Sequence, residues 1–352
     1  MKKASLRATF VVLGLGALTG AAAARQGKPA PAPGVEIVKN EAARRVDVRI
    51  EGRAFTSYVW PESLTKPVLY PLLTAKGAAV TRGFPLDPRP GERTDHPHHV
   101  GLFLSYGDVN GVDFWNNSSA LPPEQQAKMG RGRHVKVLEA VGGAKEGRLR
   151  VATSWVMPDG SVVLDEDTTF RFRGDAATRI IDRTSRLTAR APVTFADNKE
   201  GFLGLRLARA LEHPTKEAAT FTDAQGRPTT VAVLDNTGVT GLYHSSEGKE
   251  GDAVWGTRGR WVALSGRLGD EDVTLTILDD PQNPGAPTYW HARGYGLFAA
   301  NPLGQKVFSN GKEELNLKLA AGASATFHYL VAVSSGKFEA PRVEALFKEI
   351  AK

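Results

Sequence analysis

The stretch RLRVATSWVMPDGSVVLDEDTTFRFRGDAATRIIDRTSRLTA, residues 148–189, decides the fold, because it is three strands in succession. Arg148 to Val156, Val162 to Phe172 and Thr178 to Ala189 each alternate apolar with polar residues, the period of a chain with one dry and one wet face. Pro158-Asp159-Gly160 and Gly174-Asp175 are the turns between them. The same pattern extends upstream through Val35 to Val38, Arg45 to Ile50, Ala54 to Trp60 and Val135 to Ala140. Downstream it continues through Val193 to Phe195, Leu203 to Leu211, Trp261 to Ser265, Val273 to Leu278, Leu315 to Leu319 and Ala325 to Val333. Asn310-Gly311 is the best hairpin signal, since both residues tolerate positive φ. Helical patterns are few: Pro122 to Met129, two turns at most, and Arg342 to Ala351, with Val343, Leu346, Phe347 and Ile350 on one face. Short strands in this number, punctuated by 37 Gly and 21 Pro, predict an all-β fold: a large antiparallel β-sandwich. Residues 35–352 read as one domain with a short C-terminal helix; two fused sandwiches are the alternative.

The N-terminus reads differently. Lys2, Lys3 and Arg7 precede a short apolar run, Phe10 to Leu18, and Ala21 to Ala24 offer small-residue cleavage sites, so residues 1–24 are expected to be a secretory signal peptide. The run is short for a retained membrane anchor, the alternative reading, and no later stretch is long and apolar enough to span. Residues 25–34 (RQGKPAPAPG) form a Pro/Ala-rich linker. Without the signal the formal charge falls from +7 to +4, scattered rather than blocked, so nucleic acid is not an expected partner. The sequence contains no cysteine, hence neither disulfide nor thiolate metal site. A periplasmic or secreted protein is expected.

Chemistry concentrates in four places. Asp95-His96-Pro97-His98-His99 sets three of the eight histidines within four positions. Pro97 disfavours helix at His96; in an extended chain His96 and His98 share a face and His99 points away. His98 and His99 are candidate acid–base groups. His96 and His98 also have a metal-ligand spacing, so a divalent metal is an alternative, although no sequence-local third ligand is visible; no other cofactor is expected. Backbone-bonded loop histidines are the structural alternative. The following turn, Gly107 to Gly111, aims Asp108 or Asp113 and Trp115 at a substrate. Lys199-Glu200 precedes a strand ending near Arg206, and the two cations would hold Glu200 ionised as a base or sugar ligand; a solvated turn is the alternative. In Tyr289-Trp290-His291-Ala292-Arg293, strand geometry puts Tyr289, His291 and Arg293 on one face, a patch suited to polyols or carboxylates, with Trp290 on the other. Trp115, Trp255 and Trp261 lie beside turns, where an indole can stack on a sugar; core packing is the alternative for each. Phosphate-cradling loops, dinucleotide fingerprints and Gly-x-Ser-x-Gly elbows are absent.

Four blocks in order, Asp95 to Trp115, Asp197 to Ala208 (DNKEGFLGLRLA), Val254 to Trp261 (VWGTRGRW) and Asp279 to Gly304, make the sequence similar to the PmoA-like family of secreted bacterial proteins. Gly294 stands where that family reads an acidic residue. The resemblance implies a galactose-mutarotase-like supersandwich and an association with carbohydrate degradation. Its name refers to a multi-span membrane subunit of methane monooxygenase, and that activity is not expected in a chain without spans. The expected function is therefore that of a secreted carbohydrate-active enzyme, a hydrolase, lyase or epimerase acting on a small-molecule or oligosaccharide substrate. The expected proton carriers are His98, His99 and His291, with Glu200 as base. The expected substrate contacts are Asp95, Asp108, Asp113, Trp115, Lys199, Arg206, Trp290 and Arg293. A non-catalytic carbohydrate-binding sandwich is the rival, and a His-dependent metalloenzyme the third reading.

Overall fold

The computed structural model describes residues 34–352; the expected signal peptide and all but Gly34 of the expected linker lie outside the described residues. In chain order the strands are β1 (Val35–Asn40), β2 (Arg45–Ile50), β3 (Arg53–Val59), β4 (Val68–Leu69), β5 (Leu102–Tyr106), β6 (Arg131–Val141), β7 (Gly147–Val156), β8 (Val162–Gly174), β9 (Thr178–Ala189) and β10 (Val193–Phe195). They continue as β11 (Gly201–Arg206), β12 (Ala219–Thr222), β13 (Pro228–Val231), β14 (Leu242–Ser245), β15 (Trp261–Leu268), β16 (Glu271–Asp279), β17 (Tyr289–Arg293), β18 (Leu297–Asn301), β19 (Leu317–Leu319) and β20 (Ser324–Ser335). Helices are α1 (Pro123–Gln126), α2 (Gln305–Phe308) and α3 (Ala340–Ile350).

Two eight-stranded antiparallel sheets make a large β-sandwich. The first has the order β1-β2-β3-β4-β5-β11-β18-β17, the second β14-β15-β16-β20-β9-β8-β7-β6. Strands β7, β8 and β9 are the three runs of residues 148–189, paired as consecutive hairpins. Their alternation works as expected: Leu149, Val151, Phe170, Phe172, Ile181 and Leu187 enter the core between the sheets. Opposite them, Val46, Val48, Leu102, Leu104, Leu203, Leu205 and Phe298 come from the first sheet. Each large apolar side chain so buried contributes about 1.5–3 kcal/mol.

The outer face of the second sheet is closed by α3. Val343, Phe347 and Ile350 recur at helical spacing and pack on Trp261, Leu278 and Leu330. Three expectations change in detail. The Pro122–Met129 helix is a single turn, and the strand expected to reach Leu211 stops at Arg206 and gives way to a 3₁₀ turn at Arg209–Leu211. Asn310-Gly311 does adopt positive φ, 53° and 81°, but as the exit of α2 rather than a hairpin, because no strand flanks it.

Candidate functional site

The outer face of the first sheet carries rings rather than a helix. Gly204 on β11 makes room for them: the Phe103 Cζ lies 2.6 Å from where a Cβ would stand. Phe103 therefore lies across the strand and meets Trp115 at 5.0 Å between ring centroids. His99 stacks on Phe103 at 5.9 Å, His96 on His99 at 5.0 Å, and Tyr295, from the β17–β18 turn, on His96 at 4.9 Å. The result is a column of parallel rings running from the sheet to the surface.

The histidine segment is a turn, not the extended chain expected from Pro97. His96 has φ of 44° and its carbonyl accepts the His99 N–H at 3.0 Å, so His96 and His99 face each other instead of diverging. Proline denies the preceding residue the right-handed helical region, and the left-handed one is taken here. Arg82 fastens this turn. Fully buried, its guanidinium donates to the carbonyls of Arg93, Asp95, His96 and His99 and to Asp95 Oδ1 at 2.9 Å. Arg206, also buried, donates to the same Oδ1 at 2.6 Å. Burial alone would raise the Asp95 carboxyl, but the adjacent His96 imidazole and the two guanidiniums outweigh it and hold the group well below the usual carboxylate range. The other oxygen, Oδ2, lies 3.2 Å from His96 Nδ1. The His96 side chain is 40% exposed, so its second nitrogen is the one free to meet a ligand.

A cleft of about 470 Å³ opens beside this pair, lined by Asp95, His213, Asp252, Trp255, Arg293 and Tyr295 among others. The Arg293 guanidinium lies 5.5 Å over Trp255 and 5.7 Å over Tyr295, with no carboxylate partner among the described residues. Trp255 is 40% exposed, which leaves an indole face available to solvent-borne C–H groups. Burial, partly offset by nearby Arg206 and Arg293, pushes the Tyr295 phenol up to about 12, so it stays a hydrogen-bonding group. His213 Nδ1 meets Asp252 Oδ1 at 3.1 Å in the same cleft. A Cβ on Gly294 would stand 3.1 Å from that oxygen and 3.2 Å from His213 Nδ1, so the glycine leaves room for the pair. Sequence reasoning missed His213, Asp252 and Tyr295, and it held His96 only as a metal ligand. The clue for His96 was its acidic neighbour, Asp95, at i−1.

The other expected site residues disperse. His99 is buried, its Nε2 accepting from Trp115 Nε1–H at 3.1 Å, so it supports His96 instead of facing a substrate. Burial, and then cationic neighbours, push His99 well below the ordinary imidazole value; the same causes take His98 to about 2. His291 shares a face with Tyr289 and Arg293 as expected, but is buried beside the Phe308 ring, and burial takes it down to about 3. None of these imidazoles lines the cleft, nor does Glu200; His96 borders it only through Asp95 and Tyr295, and its side-chain exposure is what separates it from the other three. Glu200 pairs with Lys199 at 2.9 Å, while Arg206, assigned above to Glu200 and to substrate, is spent on Asp95. Trp115 and Trp290 are fully buried and cannot stack on a sugar. Asp108 accepts from the Gly111 N–H and Asp113 from the Asn116 N–H, closing turns in place of facing a ligand. His96 and His98 meet at 5.7 Å, edge to face, and among the described residues no three His, Cys, Asp or Glu side chains are grouped to hold a metal.

Fold and site together define a β-sandwich protein with an imidazole–carboxylate cleft on one outer sheet face. The chain belongs to DUF6807, a family of unknown function, whose model matches residues 45–348. Comparison with curated proteins gives no match. Among solved structures, a putative aldose 1-epimerase from Escherichia coli K12 is similar at 10% identity and a TM-score of 0.35, over 86% of this chain and 99% of that one. A galactose 1-epimerase from Lactobacillus acidophilus NCFM is similar at 11% identity and TM-score 0.36, covering 86% and 98%. The GH36 α-galactosidase AgaA from Geobacillus stearothermophilus is similar at 10% and 0.36; this chain, over 86% of its length, covers 40% of that enzyme. Likeness at this level carries no argument about chemistry. Among the described residues no helix is long and apolar enough to cross a membrane.

Proposed function

We propose that this chain is a carbohydrate-active enzyme, of the PmoA-like kind and exported to the periplasm or beyond, in which His96 moves the proton. What carries the reading is the Asp95–His96 pair. Stacking between His99 and Tyr295 orients the ring, and an anionic carboxylate 3.2 Å from Nδ1 stabilises the imidazolium that forms when the exposed nitrogen takes a proton. Arg82 and Arg206 fix Asp95 on one side and leave its other oxygen to His96. Arg293 and Trp255 supply the recognition half: a guanidinium for hydroxyl or carboxylate oxygens, an indole for the apolar face of a ring. With Asp95 held ionised by two guanidiniums, this carboxyl is a poor proton donor to a glycosidic oxygen. The arrangement therefore suits proton abstraction from a sugar carbon, or ring opening, better than hydrolysis between two carboxylates.

The test is a product screen on neutral, oxidised and uronic-acid glycans, repeated with His96→Gln. Turnover should fall about 10²–10⁴-fold in the variant, the range for losing a positioned acid–base group. Activity within tenfold of the parent would remove His96 from the mechanism, and binding without any turnover would make the protein a recognition module. N-terminal sequencing of the exported chain, expected to start near residue 25, tests the location.

A further inference from the structure

A second cleft, of about 550 Å³, shares no lining residue with the first. It lies between the segment after β3, the residues around α1 and the start of β6, and is lined by Trp60, Thr65, Asn117, Gln126, Arg131 and Arg133 among others. Its charge is one-sided. Arg131 and Arg133 stand two residues apart on β6, hence on one side of the strand, and neither pairs with a carboxylate among the described residues. Arg44 also lines it and meets Glu62 at 2.6 Å, the one acidic side chain in the lining. Trp60 stacks on His134 at 4.0 Å, and burial takes that imidazole down to about 4, so it adds no charge near neutrality.

At its inner end the cleft adjoins a hole of about 10 Å³, with which it shares Leu64, Thr65, Lys66, Asn117 and Ser119. Three residues lining that hole each leave a buried polar atom without a partner: His98 Nε2, Asn117 Oδ1 and Ser118 Oγ. Asn117 is 1% and Ser118 6% exposed. Buried polar atoms are ordinarily satisfied, and an unpaired one costs about 1–3 kcal/mol. An imidazole nitrogen, an amide oxygen and a hydroxyl around a space of one water's size are the complement of a hydroxyl group.

We propose that this cleft is a second binding site, for an acidic sugar unit of a glycan, with a sugar hydroxyl at the inner hole and the anionic group at Arg131 and Arg133. Lys66 bounds the hole but turns its amine away, to the Trp115 carbonyl at 3.1 Å, so the ligand's charge is met at the mouth.

Isothermal titration of the full chain decides it. Oligogalacturonate and oligoalginate are the uronate probes, chondroitin sulfate the sulfated one, with xylo-oligosaccharide and inorganic sulfate as controls. At least one acidic glycan should bind the parent tenfold or more tighter than either control. The combined change Arg131→Glu, Arg133→Glu should weaken that binding by tenfold or more. Ser118→Ala, which removes one of the three unpartnered groups at the hydroxyl end, should weaken it too. Trp255→Ala, which changes the lining of the first cleft alone, should leave the arginine-dependent binding unchanged. Equal binding of neutral and acidic glycans, equal binding of sulfate, an unaffected arginine variant that retains the parent's melting temperature, or loss of the arginine-dependent binding in Trp255→Ala would each overturn the proposal. So would a failure of every acidic glycan to bind.

Discussion

The outer faces of the two sheets are covered by different means. On the second sheet α3 lays Val343, Phe347 and Ile350 over Trp261 and Leu330, an apolar seal beside which Glu344 and Glu349 pair with Arg260 and Arg173. On the first, the covering layer is Tyr295, His96, His99, Phe103 and Trp115, locked from beneath by two guanidiniums on one carboxylate. A helix seal depends on area and tolerates exchange of one apolar group for another. The ring column depends on hydrogen bonds and charge balance, and each member fixes the next. One face stabilises without chemistry; the other couples stability to an exposed imidazole.

That contrast can be broken by substitution. The largest effect is expected from Arg82→Met, which removes five hydrogen bonds, four of them to the histidine turn, and leaves the Arg206–Asp95 pair without its second clamp. Breaking a buried ion pair costs about 3–5 kcal/mol, readable as a lower denaturant midpoint, and His96-dependent turnover should be lost with it. Phe347→Ala should cost about 3 kcal/mol by the same measurement yet leave turnover intact; a parallel loss of activity would mean that the two faces are coupled. Lys66→Met should show the smallest effect, confined to its pH dependence. Burial takes Lys66 down to about 7 in the fold, so between there and the ordinary lysine value the unfolded chain holds the extra proton. Stability must then rise with pH across that window in the parent, and part of the slope should vanish in the variant. Equal slopes in urea melts at pH 7 and 9 would count against the buried amine being neutral.

The sandwich was legible because its signal is local. A period of two over Arg148 to Ala189 dictates which side chains go inward whatever the rest of the chain does. The partition of Tyr289, His291 and Arg293 from Trp290 follows from the same rule and is found. The site was less legible, since it depends on which side chains rise above the sheet and which are covered. His99 looked the better proton carrier in the sequence and His96 only a metal ligand, but Trp115, sixteen residues on, takes the His99 nitrogen. Arg206 looked like a partner for nearby Glu200, yet it crosses to Asp95, 111 residues away in the chain. His213 and Asp252 carry no local pattern at all, because they meet across the cleft only after folding.

Gly294 ties the His213–Asp252 pair to the turn after β17. Its missing side chain is space that His213 and Asp252 now fill. An alanine there asks those neighbours for a few tenths of an ångström. An acidic side chain asks for the space itself and sets a second carboxylate against Asp252. An acid at 294 would therefore displace His213 and Asp252 from their present pairing, so the three positions act as a set.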